Sequence, residues 1–331
     1  MFDLKLYNTF GLAVKAKDGI IVSDVSKLAT IEDECCIILG TGSDVLFTED
    51  FDGTVLINRL LDLNIEDKGD TVSVHVGGGY VLDDLIVRLL EANLYGLENL
   101  SAVPGTVGAA PIQNVGAYGV EIGQFINSLE VYDLKYRLIY NMSHDECNFD
   151  YRHSYFKDNK DRKLFITKVH LNLFREFTPR LNYKGLSEHV VSTAQDVRNK
   201  IIGLRAMKLP DPKLVGNAGS FFKNPKVDKN TLECLLKSFS DMPYYVEDNG
   251  DYKIPAAYLI DRAGCRGITH GNAGTWEHQA LVIVNRGNAK PLEIVALGKY
   301  ICTQVKNTFD IDLEPEVRIY GRKGELSWSD L

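Results

Sequence analysis

Apolar residues along the chain recur with two periods, and the periods alternate. Val81, Leu82, Leu85, Ile86, Leu89 and Leu90 fall on one side of a 3.6-residue repeat, which predicts an amphipathic helix over 81–92. Val197, Ile201 and Leu204 give a second helix over about 196–208, opened by a capping box of Ser192 and Gln195. Ile294, Leu297, Ile301 and Val305 form the core stripe of a long helix over about 290–309, with shorter helices near 228–239 and 255–263. Between them, short apolar runs at 35–39, 55–58, 72–76, 164–173, 280–285 and 313–320 read as strands. Leu209-Pro210-Asp211-Pro212 places two prolines within three residues and predicts a junction near 209. The pattern is α+β.

Glycine sharpens the picture. Thirteen of the 28 glycines fall within residues 40–123, in the clusters Gly40-Thr41-Gly42-Ser43, Gly77-Gly78-Gly79, Pro104-Gly105-Thr106-Val107-Gly108 and Gly116-Ala117-Tyr118-Gly119. Without a Cβ, such turns let backbone N–H groups close on an anion, so they read either as a pyrophosphate cradle or as plain turns between short strands. Two common nucleotide motifs fail. Gly40-Thr41-Gly42 has Val45 where a Rossmann loop needs its third glycine, and no GxxxxGK[ST] occurs. A dinucleotide here needs another architecture.

Charge and cysteine restrict partners. The 331 residues carry 37 Lys+Arg against 45 Asp+Glu, a net −8 without a basic tract, which argues against nucleic acid. Apolar runs stop far short of the roughly 20 residues of a membrane span, and the charged N-terminal stretch is no signal peptide, so a cytoplasmic protein is expected. Cys35, Cys36, Cys147, Cys234, Cys265 and Cys302 include no CxxC and read as reduced packing residues. The histidines at 75, 144, 153, 170, 189, 270 and 278 have no metal-binding spacing, so no metal is expected.

Three polar residues have unusual surroundings. Ser220 ends Gly216-Asn217-Ala218-Gly219-Ser220 and precedes Phe221-Phe222, as a sheltered proton donor or as an ordinary turn serine. Arg152 lies in the aromatic Asp150-Tyr151-Arg152-His153-Ser154-Tyr155, as a carboxylate clamp or a surface ion pair. Glu316 lies in Leu313-Glu314-Pro315-Glu316-Val317-Arg318, where alternation would put Glu314, Glu316 and Arg318 on one strand face.

The combination carries more than its parts. Ile38-Leu39-Gly40-Thr41-Gly42-Ser43-Asp44-Val45-Leu46-Phe47 resembles the flavin loop of the UDP-N-acetylenolpyruvoylglucosamine reductases, the MurB family. So does the stretch 103–119, and Tyr151-Arg152, Lys208-Leu209-Pro210-Asp211-Pro212-Lys213, 216–225 and 314–318 match in the same order. Tyr183, in Leu181-Asn182-Tyr183-Lys184-Gly185-Leu186, resembles the loop tyrosine of the type I branch.

The resemblance implies an FAD-binding fold of the vanillyl-alcohol-oxidase/PCMH type with a C-terminal α+β substrate domain. Its segments would be 1–61 with 318–331, then 62–208, then 209–317. It implies an NADPH-dependent, FAD-mediated reduction of UDP-N-acetylglucosamine enolpyruvate to UDP-N-acetylmuramate, in peptidoglycan precursor synthesis, by a monomer with no nucleic-acid or membrane partner. Ser220 would supply the proton, and Arg152 would hold the substrate carboxylate with Glu316, the latter protonated or acting through hydrogen bonds. Implied flavin contacts are Gly40, Thr41, Gly42, Ser43, Asp44, Gly105, Thr106, Gly108, Ala109, Ile112, Asn114, Gly116, Ala117, Tyr118, Arg205 and Arg318. Tyr183, Lys208, Asn224, Tyr245 and Gln279 would bind the nucleotide sugar.

Two departures stand out. Asp44 replaces the family's usual asparagine, adding a negative charge near a pyrophosphate, and Ala109 and Ala110 replace serines. These departures favour one alternative, a non-catalytic nucleotide-sugar sensor. The other alternative is a different FAD-dependent oxidoreductase of the same fold.

Overall fold

The computed structural model describes residues 1–331 except 32–34, 68, 70, 160–161, 184, 188–190 and 248, so His189 and Lys184 lie outside the described residues. The chain forms two compact units: Met1–Phe2, Ala16–Gly42 and Asp52–Met207 make the first, and Asp3–Lys15, Ser43–Phe51 and Lys208–Leu331 the second.

The first unit is built on two sheets. One has the order Phe2–Asp3, Lys15–Val22, Phe51–Asn58, Cys36–Leu39, the last two parallel. The other is antiparallel, in the order Leu138–Ser143, Ile126–Asp133, Leu164–Phe174, Thr71–Gly77, Leu63–Asp67. Strand alternation gives this five-stranded sheet an apolar face of Val72, Val74, Val76, Val169 and Leu171, and the helix Leu82–Glu91 buries Leu82, Leu85, Ile86 and Leu89 in the same core. A second core of Val22, Leu28, Leu56, Leu60, Tyr132 and Phe165 draws residues from both sheets.

The expected second helix runs Ala194–Lys208, beginning two residues early. Its cap is Thr193 rather than Ser192: the Asp196 N–H donates to Thr193 Oγ1 (3.1 Å) and the Thr193 N–H to Asp196 Oδ2 (2.9 Å). Asp and Thr close the same reciprocal box as Glu and Ser, one residue on from where the pattern suggested it.

A bidentate ion pair joins these two helices. Arg198 Nη1 and Nη2 donate to Asp83 Oδ1 (2.5 Å) and Oδ2 (2.9 Å), and the Ala102 N–H adds a third bond to Oδ1 (2.6 Å). Burial alone would raise the Asp83 carboxyl, but the Arg198 guanidinium and the Ala102 amide outweigh it and hold it below its ordinary value. Asp83→Asn strands a buried Arg198 charge and is expected to cost about 2–3 kcal/mol at pH 7, the range of a hydrogen bond to a charged group. That is below the cost of breaking a fully buried pair, because the Asp83 side chain is 29% exposed. A depressed folded pKa means the contribution is complete above the unfolded value, about 3.9, and is lost as pH falls through the folded value. Urea midpoints of wild type and variant should therefore differ clearly at neutral pH and converge in acid. A gap that persists unchanged in acid would remove the charge pair as its cause.

The second unit holds the four-stranded sheet Gly216–Ser220, Gln279–Asn285, Ala273–Trp276, Thr269–His270. Two three-stranded sheets join it: Lys226–Val227, Tyr252–Lys253, Tyr245–Val246, and Gly324–Leu326, Arg318–Gly321, Val45–Phe47. The helices are Lys229–Ser238, Ala256–Arg262 and Pro291–Phe309, the last burying Ile294, Leu297, Ile301 and Val305 as the periodicity requires. The expected strand over 313–320 is regular only at Arg318–Gly321. Pro315 has no N–H to give a ladder, and residues 314–316 pair instead with the Phe221-Phe222-Lys223 segment. None of the six cysteines forms a disulfide, and Cys234 is exposed on its helix rather than packed.

Candidate active site

In the first unit the glycine clusters converge. A Cβ on Gly40, which follows the strand Cys36–Leu39, would stand 2.3 Å from Thr106 Oγ1, so only glycine lets the two loops close here. Thr41 Oγ1 and Thr106 Oγ1 are buried with no hydrogen-bond partner in the protein. Buried hydroxyls are nearly always satisfied, so two orphans at facing glycine loops point to an external partner.

The second loop is held by backbone alone. The Val107 N–H donates to Tyr80 O (2.8 Å), the Gly108 N–H to Gly78 O (2.8 Å) and the Leu82 N–H to Gly105 O (3.1 Å). Gly78 was not among the expected site residues, although the triple glycine that contains it was the available signal. Ala109 follows in the same turn, its N–H donating to Thr106 O, and Ile112 O accepts from Ser154 Oγ (2.6 Å). Gly116–Ala117 pairs with Val120–Glu121 across Tyr118 (φ 51°) and Gly119 (φ 80°), both left-handed as a tight hairpin demands. Asn114 braces the loop: its Nδ2 donates to Glu121 Oε2 (2.8 Å) and Asp150 O (3.1 Å), and its Oδ1 accepts from the Gly123 N–H (2.9 Å). Backbone amides on glycine turns beside orphaned hydroxyls fit the diphosphate of FAD.

Arg152 belongs to the same neighbourhood. It is left-handed (φ 51°), its Nη2 donates to Gly116 O (2.7 Å), and its guanidinium lies 5.2 Å from the Tyr151 ring centre. Tyr118 and Tyr183 meet edge to face at 5.2 Å. Burial raises the Tyr118 hydroxyl, Arg205 opposing and Tyr183 adding to it; burial also lowers the Arg205 guanidinium, against Tyr118 and Asp83. The two rings and this desolvated cation form a cluster that spacing alone did not join.

In the second unit, Ser43 O accepts from Thr9 Oγ1 (3.4 Å) and Asp44 O from the Arg318 N–H (3.1 Å). Arg318 Nη2 donates to Glu325 Oε2 (2.6 Å). Burial alone would lower the Arg318 guanidinium, but Tyr320, Glu325 and Asp44 hold it above its ordinary value. The charge that Asp44 adds therefore falls beside a cation, which offsets it.

Ser220 sits where its strand is irregular. Asn217 is buried, its Oδ1 accepts from the Gly219 N–H (2.9 Å), and Gly219 is left-handed (φ 71°), so the register slips between Asn217 and Ser220. Phe221, Phe222 and Trp328 pack edge to face behind it. The Glu316 N–H donates to Phe221 O (2.8 Å), which brings Glu316 alongside the residue after Ser220. Asn224 Oδ1 accepts from the Ala256 N–H (2.9 Å) at a helix start. Tyr245 is exposed on the strand Tyr245–Val246, Gln279 opens the strand Gln279–Asn285 opposite Trp276, and Lys208 is exposed as the last residue of its helix.

Residues 12–135 match the model of an FAD binding domain, and residues 211–320 match the C-terminal domain of UDP-N-acetylenolpyruvoylglucosamine reductase. A UDP-N-acetylenolpyruvoylglucosamine reductase of Pectobacterium atrosepticum is 40% identical, over 99% of this chain and 97% of its own. The enzyme of that name from Escherichia coli K12 is also 40% identical, over 98% and 97%. The crystal structure of the Thermus caldophilus MurB reductase superposes with a TM-score of 0.68 at 22% identity, covering 96% of this chain and 97% of that one, a likeness of fold. Identity of this extent over essentially the whole length places the chain in the UDP-N-acetylenolpyruvoylglucosamine reductase family.

Proposed function

We propose that this chain is an NADPH-dependent flavoenzyme that reduces UDP-N-acetylglucosamine enolpyruvate to UDP-N-acetylmuramate, a step of peptidoglycan precursor synthesis. The observation that carries the flavin reading is the pair of buried, unpartnered hydroxyls of Thr41 and Thr106 beside Gly40. When bound there, FAD supplies the two-electron chemistry that passes reducing equivalents from NADPH to the substrate.

The chain's own residues do the rest. The Gly40-Thr41-Gly42 turn and the Gly105 and Thr106 N–H groups hold the diphosphate, with the two threonine hydroxyls as added donors, while the Val107 and Gly108 N–H groups fix the second turn in place. Reduction of the enolpyruvyl double bond leaves negative charge on the carbon beside the carboxylate, and that charge spreads into it. Arg152 neutralises the carboxylate, which is worth most where water is excluded. Glu316 contributes a hydrogen bond, and Ser220 delivers the proton to carbon. Tyr183, Lys208, Asn224, Tyr245 and Gln279 bind the nucleotide sugar. No helix among the described residues is long and apolar enough to cross a membrane. The family resemblance, and not that absence, is what supports reading the chain as a cytoplasmic monomer.

The visible spectrum of freshly purified protein tests this reading first. A flavin spectrum is expected, bleached by NADPH and restored by the enolpyruvyl nucleotide sugar. A colourless protein that also fails to take up added FAD would overturn the assignment.

A further inference from the structure

Two histidines that sequence spacing left unconnected meet in the five-stranded sheet. His75 lies on Thr71–Gly77 and His170 on Leu164–Phe174, and the antiparallel register sets them directly opposite each other. Their Nδ1 atoms face at 2.5 Å, with the ring planes at 68°. An ordinary N–H···N contact is longer, near 2.9 Å, and so short a separation leaves room for at most one proton between the rings.

The surroundings choose which nitrogen holds the proton. His75 Nε2 faces Glu66 Oε2 at 3.5 Å, from the adjoining strand Leu63–Asp67. A carboxylate on the outer nitrogen keeps the proton there and turns the Nδ1 lone pair inward, as it does behind metal-bound imidazoles. Both rings are partly buried. The His75 side chain is 27% exposed, so an ion has a way in.

We propose that His75 and His170 chelate a divalent transition-metal ion of the zinc class through their paired Nδ1 atoms, with water completing the coordination. Imidazole nitrogens select zinc, nickel or copper over magnesium or calcium. Bonds of about 2.0–2.1 Å at a tetrahedral angle hold two nitrogens about 3.3 Å apart, so the two rings swing about 0.8 Å apart to admit the ion. Among the described residues no group of three or more His, Cys, Asp or Glu side chains could hold a metal ion, so this is an open, exchangeable two-ligand site rather than a closed one. Its consequence is mechanical: the chelate ties two central strands of the sheet.

The test is titration of zinc chloride into the flavin-loaded full-length protein, followed by calorimetry and by thermal unfolding. One zinc per chain and a rise in Tm are expected, because a ligand bound only to the folded state stabilises it. Magnesium should do neither. His75→Ala and His170→Ala should each remove that one equivalent. Glu66→Gln, which keeps both ligands, should weaken binding by about 10–100-fold. Zinc that binds equally well to both alanine variants sits elsewhere, and the proposal falls. It falls too if wild type shows no stoichiometric uptake at about 100 µM, far above any Kd that would matter for a stabilising ligand. Should the alanine variants fail to fold, the glutamine variant decides alone, and unchanged affinity there overturns the site.

Discussion

Ser220→Ala should lower turnover of the enolpyruvyl nucleotide sugar by about 10³-fold, the range of a well-placed general acid. Bleaching of the bound flavin by NADPH should continue at the wild-type rate. The two halves separate because the substitution removes a single oxygen from a position whose backbone is fixed by other groups. Asn217 holds Gly219 through its side chain, Gly219 supplies the left-handed turn, and the Phe221–Phe222–Trp328 cluster anchors the chain beyond Ser220. Alanine disturbs none of these. Stopped-flow measurement of each half-reaction is the check. Turnover near the wild-type rate would exclude Ser220 as proton donor, and an equal loss in both halves would mean that the variant had damaged the site as a whole.

Apart from the family resemblance, that serine was visible in the sequence only as the end of a glycine-rich turn, and the reason is general to this molecule. Features set by local periodicity were legible: the helix Leu82–Glu91 and the stripe Ile294, Leu297, Ile301, Val305 lie as their repeats demand. Features set by register between distant strands were not. His75 and His170 are unremarkable alone, and only the pairing of Thr71–Gly77 with Leu164–Phe174 makes them neighbours. The extended run around Pro315 looked like a strand face, yet its backbone pairs with Phe221–Lys223 and carries Glu316 toward Ser220. Asp44 looked like a defect in the flavin loop until the parallel pairing of Val45–Phe47 with Arg318–Tyr320 placed Arg318 beside it. The repeated tetrapeptide Gly-Asn-Ala-Gly at 216–219 and 271–274 gave no repeat of the fold, but Gly216 and Ala273 both pair with Asn285, on its two sides.

Gly108→Val should leave the protein folded but nearly flavin-free, with its Kd for FAD raised by at least about tenfold, or 1.4 kcal/mol. A Cβ at Gly108 would lie 2.8 Å from both Cα and O of Gly78, and a Cβ at Gly78 would lie 2.3 Å from Ile166 O. These are backbone atoms with no rotamer to turn aside, and Gly78 cannot retreat because its N–H donates to Thr167 O (2.8 Å) in the sheet. The strain must therefore move the other partner, the turn carrying Gly105 to Ala109, and with it Thr106, whose buried hydroxyl borders Gly40. A cradle that combines the Thr106 hydroxyl with the opposite glycine turn loses its donors when the turn shifts, because each hydrogen bond weakens steeply with distance and angle. Gly203→Ala is the matched control: nothing lies within 4 Å of its Cβ, it sits inside the helix Ala194–Lys208, and alanine there should raise stability by up to about 1 kcal/mol without touching flavin content. Flavin-to-protein absorbance ratios and fluorescence titration with FAD read the outcome without reference to turnover. A Gly108→Val protein that retained wild-type affinity would show that this turn is not part of the diphosphate cradle, and the Gly40 loop would have to hold the cofactor without it.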